Sequence, residues 1–339
     1  MTTRSVTVAA LLATLARPSW WILALAGFLV RGGIVLFGLA IVTLPSPLAL
    51  SNVLRPVLTP LYFGRLEPAT AALIVALVVA ALASLFVGSW LGAATEVTLI
   101  REAQAAARDE HLPGRAPVPG GPGTVSRAAV VHLLALVPLA FGLAIVSLRV
   151  FDVVYAELTN PSDAGPIVLR VVIAAAGPLG AVLVLWIAGE IVGGVAVRRL
   201  VLGGGSILGA LGGAVGELLR RPVASLAAPL SLILVLALDV GAVLAVVTIA
   251  WNEVRERLID RVSEPLATTL SIGTFAAAWC LALVVTGLIA SWRSAAMTLE
   301  SERLAAANGT LGSARAGTIG ASPERRPGDW STDDPGGSL

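Results

Sequence analysis

Residues 69–93 read ATAALIVALVVAALASLFVGSWLGA, twenty-five positions without a charged side chain. Coiled as a helix at 1.5 Å per residue, the stretch is about 37 Å long and can cross a hydrocarbon core of about 30 Å. Lipid offers no water to unpaired backbone groups, so a stretch of this kind predicts a spanning helix. Five further stretches meet the same criterion, at about 20–44, 128–150, 167–193, 224–250 and 266–292. The expected fold class is all-α, a polytopic membrane bundle of six transmembrane helices. Composition agrees: the 339 residues are 57% hydrophobic and 13% charged, against about 25% charged in soluble domains. Many of the 35 Gly and 20 Pro stand inside apolar runs, where neighbouring membrane helices re-satisfy freed backbone groups.

Orientation follows from arginine, because the chain contains no lysine. If the N-terminus is inside, cytoplasmic segments collect fifteen arginines and the opposite side seven. The positive-inside rule therefore predicts cytoplasmic N and C termini. Trp20, Trp21, Trp90, Trp251 and Trp292 lie near span ends, where indoles favour the headgroup level. The N-terminal 18 residues carry no cleavage-site pattern, so the first span reads as a retained helix. The Ala, Gly and Arg bias suggests a GC-rich bacterial genome and hence a bacterial cytoplasmic membrane. Residues 203–221 alternate small and apolar side chains and predict a cytoplasmic interfacial helix. The last helix is expected to run over about 294–308 and stop at Gly309. The segment 309–339, rich in Gly, Ser, Pro and charge, reads as a disordered cytoplasmic tail.

Landmarks recur with a period near 100. Asn52-Val53-Leu54, Asp152-Val153-Val154 and Asn252-Glu253-Val254 open three external connections, and Pro68, Pro166 and Pro265 close them. Each even helix carries a small pair near its cytoplasmic end: Gly88 and Gly92, Gly189 and Gly193, Gly287 and Ser291. Such pairs let helix backbones pack closely in lipid. The expectation is three parallel hairpin repeats, at about 1–110, 111–202 and 203–308, with Arg-Pro entries at Arg17-Pro18 and Arg221-Pro222. The Pro-x-acidic-x-x-basic signature of mitochondrial carriers is missing from the ends of the odd helices, which excludes that family. The Arg-Pro entries, interfacial helices and Gly pairs resemble bacterial six-helix membrane proteins like the membrane domain accompanying some glycerophosphodiester phosphodiesterases. That resemblance covers the chain to about Asn308 and implies a membrane domain without a hydrolase domain.

Ionisable groups inside spans point to function, since a charge at the bilayer centre costs at least about 2.5–3.5 kcal/mol. Arg31 and Asp239 count to similar depths on the first and fifth helices, which predicts an ion pair near the midplane. His132 and Glu190, toward the cytoplasmic side, are expected to share a polar vestibule. Pro138, Pro178 and Pro229 predict kinks. One cysteine, Cys280, excludes an intrachain disulfide, and two histidines make an imidazole-rich metal site or catalytic centre a poor fit. The sequence has no P-loop and no zinc helix, so no enzyme activity, metal or cofactor is expected. A net charge of +2 on so apolar a chain gives no nucleic-acid partner. The partners expected are the lipid bilayer and either anionic headgroups or another membrane protein. Two functions fit: a small permease with a path between the helix hairpins, past Arg31, Asp239, His132 and Glu190, or a non-catalytic scaffold that binds lipid or another membrane protein.

Overall fold

The structure, a computed structural model, describes residues 3–41, 68–109, 123–159, 167–220, 222–259 and 264–319. All regular structure among them is helical. The first helical rod is built from α2 (Pro18–Phe28), a π-helical turn (Leu29–Gly33) and α3 (Ile34–Leu39), and is preceded by α1 (Thr3–Leu15). There follow α4 (Pro68–Asp109), α5 (Thr124–Ala135), α6 (Val137–Thr159), α7 (Ile167–Ala174) and α8 (Ala176–Gly203). The chain continues through α9 (Ile207–Arg220), α10 (Pro222–Ile259) and α11 (Pro265–Ile319).

Among the described residues, six helical stretches are long and apolar enough to cross a bilayer: Pro18–Gly38, Pro68–Arg108, Val137–Ala156, Ala176–Gly203, Ser225–Ile259 and Pro265–Ala306. Their outward faces are bare hydrocarbon. Leu73, Leu77, Leu82 and Phe86 of α4 and Phe141, Ile145 and Leu148 of α6 are all exposed. Soluble monomers rarely expose contiguous apolar patches beyond a few hundred Å², whereas lipid is the natural solvent for this surface. The chain is an integral membrane protein with a multi-pass helical bundle.

Prolines punctuate the bundle. Pro18, Pro68, Pro222 and Pro265 each occupy the first position of a helix, where the missing N–H would have no partner in any case. Inside spans the ring collides with the carbonyl four residues back. The third span accordingly breaks at Leu136 between α5 and α6, ahead of Pro138, and the fourth at Ala175 between α7 and α8, ahead of Pro178. Pro229 lies within α10, which runs through it from Pro222 to Ile259. Pro166 and the Asn52-Val53-Leu54 landmark lie outside the described residues.

Packing is concentrated at the arginine-rich end. One core joins Val6, Ala10 and Ala13 of α1 to Trp20, Leu99, Ala103 and Met297. A second joins Val97 and Ile100 of α4 to Val131, Val197, Leu200 and Ala214. At the other end, Phe37 meets the Trp279 ring edge-on at 5.6 Å beside Val243 and Val247. Two indoles fasten α1 to the bundle: Trp21 Nε1 donates to the Thr14 carbonyl (2.8 Å) and Trp292 Nε1 to the Thr7 carbonyl (3.0 Å). The helix expected over 203–221 is α9, opened by Ser206, whose Oγ accepts from the Gly209 N–H at 3.1 Å. It buries Ala210 and Ala214 and exposes Leu208 and Leu219.

Two expectations are corrected here. Trp20 is 2% exposed in the first core, not a headgroup anchor. The last helix does not stop at Gly309 but runs to Ile319. An interior Gly costs a helix about 1 kcal/mol, and the good helix formers Leu304 to Ala307 before it and Leu311, Ala314, Arg315 and Ala316 after it weigh against that cost. The rest of the expected tail, 320–339, lies outside the described residues.

Candidate functional site

The first membrane helix cannot continue regularly past Leu29. Gly32 has φ +113°, a left-handed backbone open to glycine and strained for L side chains, and it lies inside a π-helical turn that displays Arg31. Such turns recur at functional sites. Across from it, α4 presents its small pair. A Cβ on Gly88 would lie 2.6 Å from the Val30 carbonyl oxygen, and one on Gly92 would lie 2.4 Å from Arg31 Nε. The missing side chains make the groove in which Arg31 lies. At its end Arg31 Nη2 donates to Glu96 Oε2 at 2.6 Å.

Glu96 gathers two more partners. His132 of α5 brings Nε2 to 2.8 Å from Glu96 Oε2, and Arg198 of α8 brings Nη1 to 3.3 Å from Oε1. Arg198 is 2% exposed. Its Nη1 also donates to the Gly194 carbonyl (2.9 Å) and its Nη2 to the carbonyl and hydroxyl oxygens of Ser294 (3.2 and 3.3 Å). Beside this group Arg293 of α11 donates from Nη2 to Glu190 Oε2 of α8 at 2.8 Å. Arg31, Glu96, Glu190, Arg198 and Arg293 line one cavity of about 480 Å³, closed on its apolar sides by Ala24, Phe28, Leu36, Trp186 and Leu236. A volume of that order suits a small molecule.

A second small pair positions the same cluster. Gly193 lets the His132 ring approach, with Nδ1 3.0 Å from where a Cβ would stand, and Gly189 faces the Ala135 carbonyl at 3.0 Å. A Cβ on Gly287 would lie 2.8 Å from the Trp21 carbonyl oxygen, so on the last helix the close approach is to the first helix. Ser291 is fully buried and turns its hydroxyl to the Leu288 carbonyl at 2.8 Å.

The structure thus brings together three of the four residues singled out from sequence, Arg31, His132 and Glu190, and leaves out the fourth. The expected Arg31–Asp239 pair is not formed. Asp239 is buried on α10 beside Thr286 of α11, one turn along from Leu236, and its Oδ2 has no hydrogen-bond partner among the described residues. The depth count that matched the two charges started from Trp20, which sits in a packed core below the lipid-facing surface. Glu96 lies 28 residues past Pro68, about 42 Å along α4, farther than the roughly 30 Å hydrocarbon thickness. The cluster therefore sits near the arginine-rich edge of the apolar slab, not at its centre. The sequence does not single out Glu96, Arg198 or Arg293: Glu96 falls three residues beyond the predicted span, and the two arginines read as topology signals. All three follow a small pair on an even helix within five residues, which is the signal that finds them.

A second cavity, of about 350 Å³, lies among α8, α9, α10 and α11 and shares Arg198 with the first. Of the charged residues that line it, Arg199 pairs with Glu217 at 2.6 Å, Glu300 with Arg303 at 2.6 Å, and Glu302 accepts from Gln104 at 3.0 Å. The described residues hold no cluster of His, Cys, Asp and Glu fit for a metal ion. No protein-family model, curated protein or solved structure matches the chain.

Proposed function

We propose that the protein is a small permease of a bacterial cytoplasmic membrane, with both termini inside and a polar binding cavity opening toward the arginine-rich, cytoplasmic end. The reading is carried by one observation: five charged side chains from four helices converge on a single cavity instead of pairing off at the surface. Charges of membrane helices that face the bundle interior or a cavity mark solute pathways or ligand sites. The break at Gly32 gives the first helix a place to change direction beside that cavity, as discontinuous helices do at transporter binding sites. In this reading the three small pairs are packing elements of a threefold repeat. No catalytic residues are assigned.

A second reading has its own support. Because the cluster sits near the edge of the apolar slab, it is level with lipid headgroups, and a scaffold that holds a lipid would use the same charges. Cysteine labelling separates the two. In a Cys280→Ser background, single cysteines at Ala24 and Leu36, on opposite sides of the Arg31 turn, are treated with a membrane-impermeant methanethiosulfonate applied to one face of oriented vesicles at a time. A permease exposes both positions to water from both faces. Labelling of both from the arginine-rich face alone overturns the path and leaves the headgroup-binding scaffold.

A further inference from the structure

The central cavity has more donors than its own walls can use. Three guanidinium groups, Arg31, Arg198 and Arg293, face two carboxylates, Glu96 and Glu190, so the wall charge is positive whatever His132 carries. Each guanidinium has five N–H donors in a planar fork. Among the described residues, Arg31 and Arg293 each commit a single nitrogen, to Glu96 and Glu190 respectively. Arg198 is nine-tenths buried and more, and its Nε has no acceptor. A half-open cavity with surplus forked donors and surplus positive charge is complementary to a planar or tetrahedral oxyanion, which takes two parallel N–H bonds from a guanidinium.

We propose that this cavity binds an oxyanion, a carboxylate or phosphate group, with Arg31 and Arg293 as the direct donors and Arg198 behind them. The inference rests on the permease reading for its setting, but it makes a separate claim about binding. The second cavity does not compete for this role, since the two arginines that line it, Arg198 and Arg199, face three carboxylates, Glu217, Glu300 and Glu302.

The test uses the full chain in zwitterionic nanodiscs, with thermal unfolding followed as sodium phosphate or sodium succinate is titrated at constant ionic strength. Both anions are expected to raise the melting temperature saturably, and choline at matched ionic strength is expected to leave it unchanged. Arg31→Gln should weaken the apparent affinity at least about tenfold, the worth of one charge-assisted bond, and Arg31→Lys should fall between. Should Arg31→Gln fail to yield folded protein, the double variant Arg293→Gln with Glu190→Gln removes one donor and one acceptor together and should show the same weakening. Exchanging a third of the lipid for phosphatidylglycerol identifies the source of the oxyanion. A tenfold loss of phosphate affinity assigns the site to a lipid headgroup, and an unchanged affinity assigns it to a free solute. Equal stabilisation by choline, or a wild-type anion response in the arginine variants, overturns the proposal. Two-sided cysteine labelling with no anion response would sink the oxyanion and leave the path, and one-sided labelling with a saturable response would do the reverse.

Discussion

Glu96→Gln is the most informative single change available. The carboxylate is 12% exposed and holds three basic groups: Arg31, itself 30% exposed, His132, and Arg198, 2% exposed. A neutral amide keeps the shape but turns one of its two ends into a donor, which then faces Arg31 or Arg198 as donor against donor. Arg31 is wet enough that its loss is small, in the range of about 0–1 kcal/mol found for exposed pairs. Arg198 decides the outcome, because stripping a buried charge of its partner costs about 3–5 kcal/mol. The Gly194 and Ser294 oxygens that remain place the expectation at the low end, about 3 kcal/mol. Reversible unfolding in mixed micelles titrated with dodecyl sulfate, followed by far-ultraviolet circular dichroism, measures it. The paired variant Glu96→Gln with Arg198→Gln should recover at least about 1 kcal/mol relative to the sum of the single changes, as coupled neighbours do. A single variant within about 0.5 kcal/mol of the wild type, or strict additivity of the two, would refute the account of the cluster as a coupled unit.

Gly88→Ala should cost about 1–3 kcal/mol by overpacking, since its Cβ would meet a backbone oxygen at 2.6 Å, while Gly273→Ala, with nothing within 4 Å, should be neutral or stabilising; the same unfolding titration ranks the two. Gly32→Ala meets open space but a φ of +113°, so its expected cost of about 1–3 kcal/mol is pure backbone strain, and a wild-type midpoint would show that the π-helical turn is not needed. Trp21→Phe removes the indole donor to the Thr14 carbonyl at a cost of about 1 kcal/mol. Faster proteolytic clipping between α1 and α2, with the rest of the bundle intact, is the expected readout.

The fold was legible because lipid imposes one rule on every span. Twenty apolar residues in a row have few structures open to them, and stretches such as 69–93 admit no alternative. Pro18, Pro68, Pro222 and Pro265 marked helix starts, and Pro138 and Pro178 marked breaks, for steric reasons that act within one turn of chain. The site was legible only in part. Arg31, His132 and Glu190 could be seen as charges out of place, but which charges meet depends on how far each helix extends beyond the lipid. Trp20 looked like an interface residue by its type and position, yet α1 and the extension of α4 cover it, and no local pattern encodes that. Glu96 and Arg198 looked like ordinary residues of a charged helix end for the same reason. The π-helical turn at Leu29–Gly33 had only its paired glycines as a trace, and Gly-Gly is common in apolar helices.

The order in which the cluster's charges occur along the chain has a consequence for biogenesis. Domains are completed from the N-terminus as synthesis proceeds. Once the second span is made, Arg31 can meet Glu96, and the nascent cluster is neutral. The fourth span then adds Glu190 and Arg198 together, again one of each sign. Only the last span, with Arg293, brings the surplus cation. From the completion of the second span to that of the fourth, the cluster is therefore assembled in balanced steps, and the protein becomes electrostatically lopsided when the last span joins the bundle.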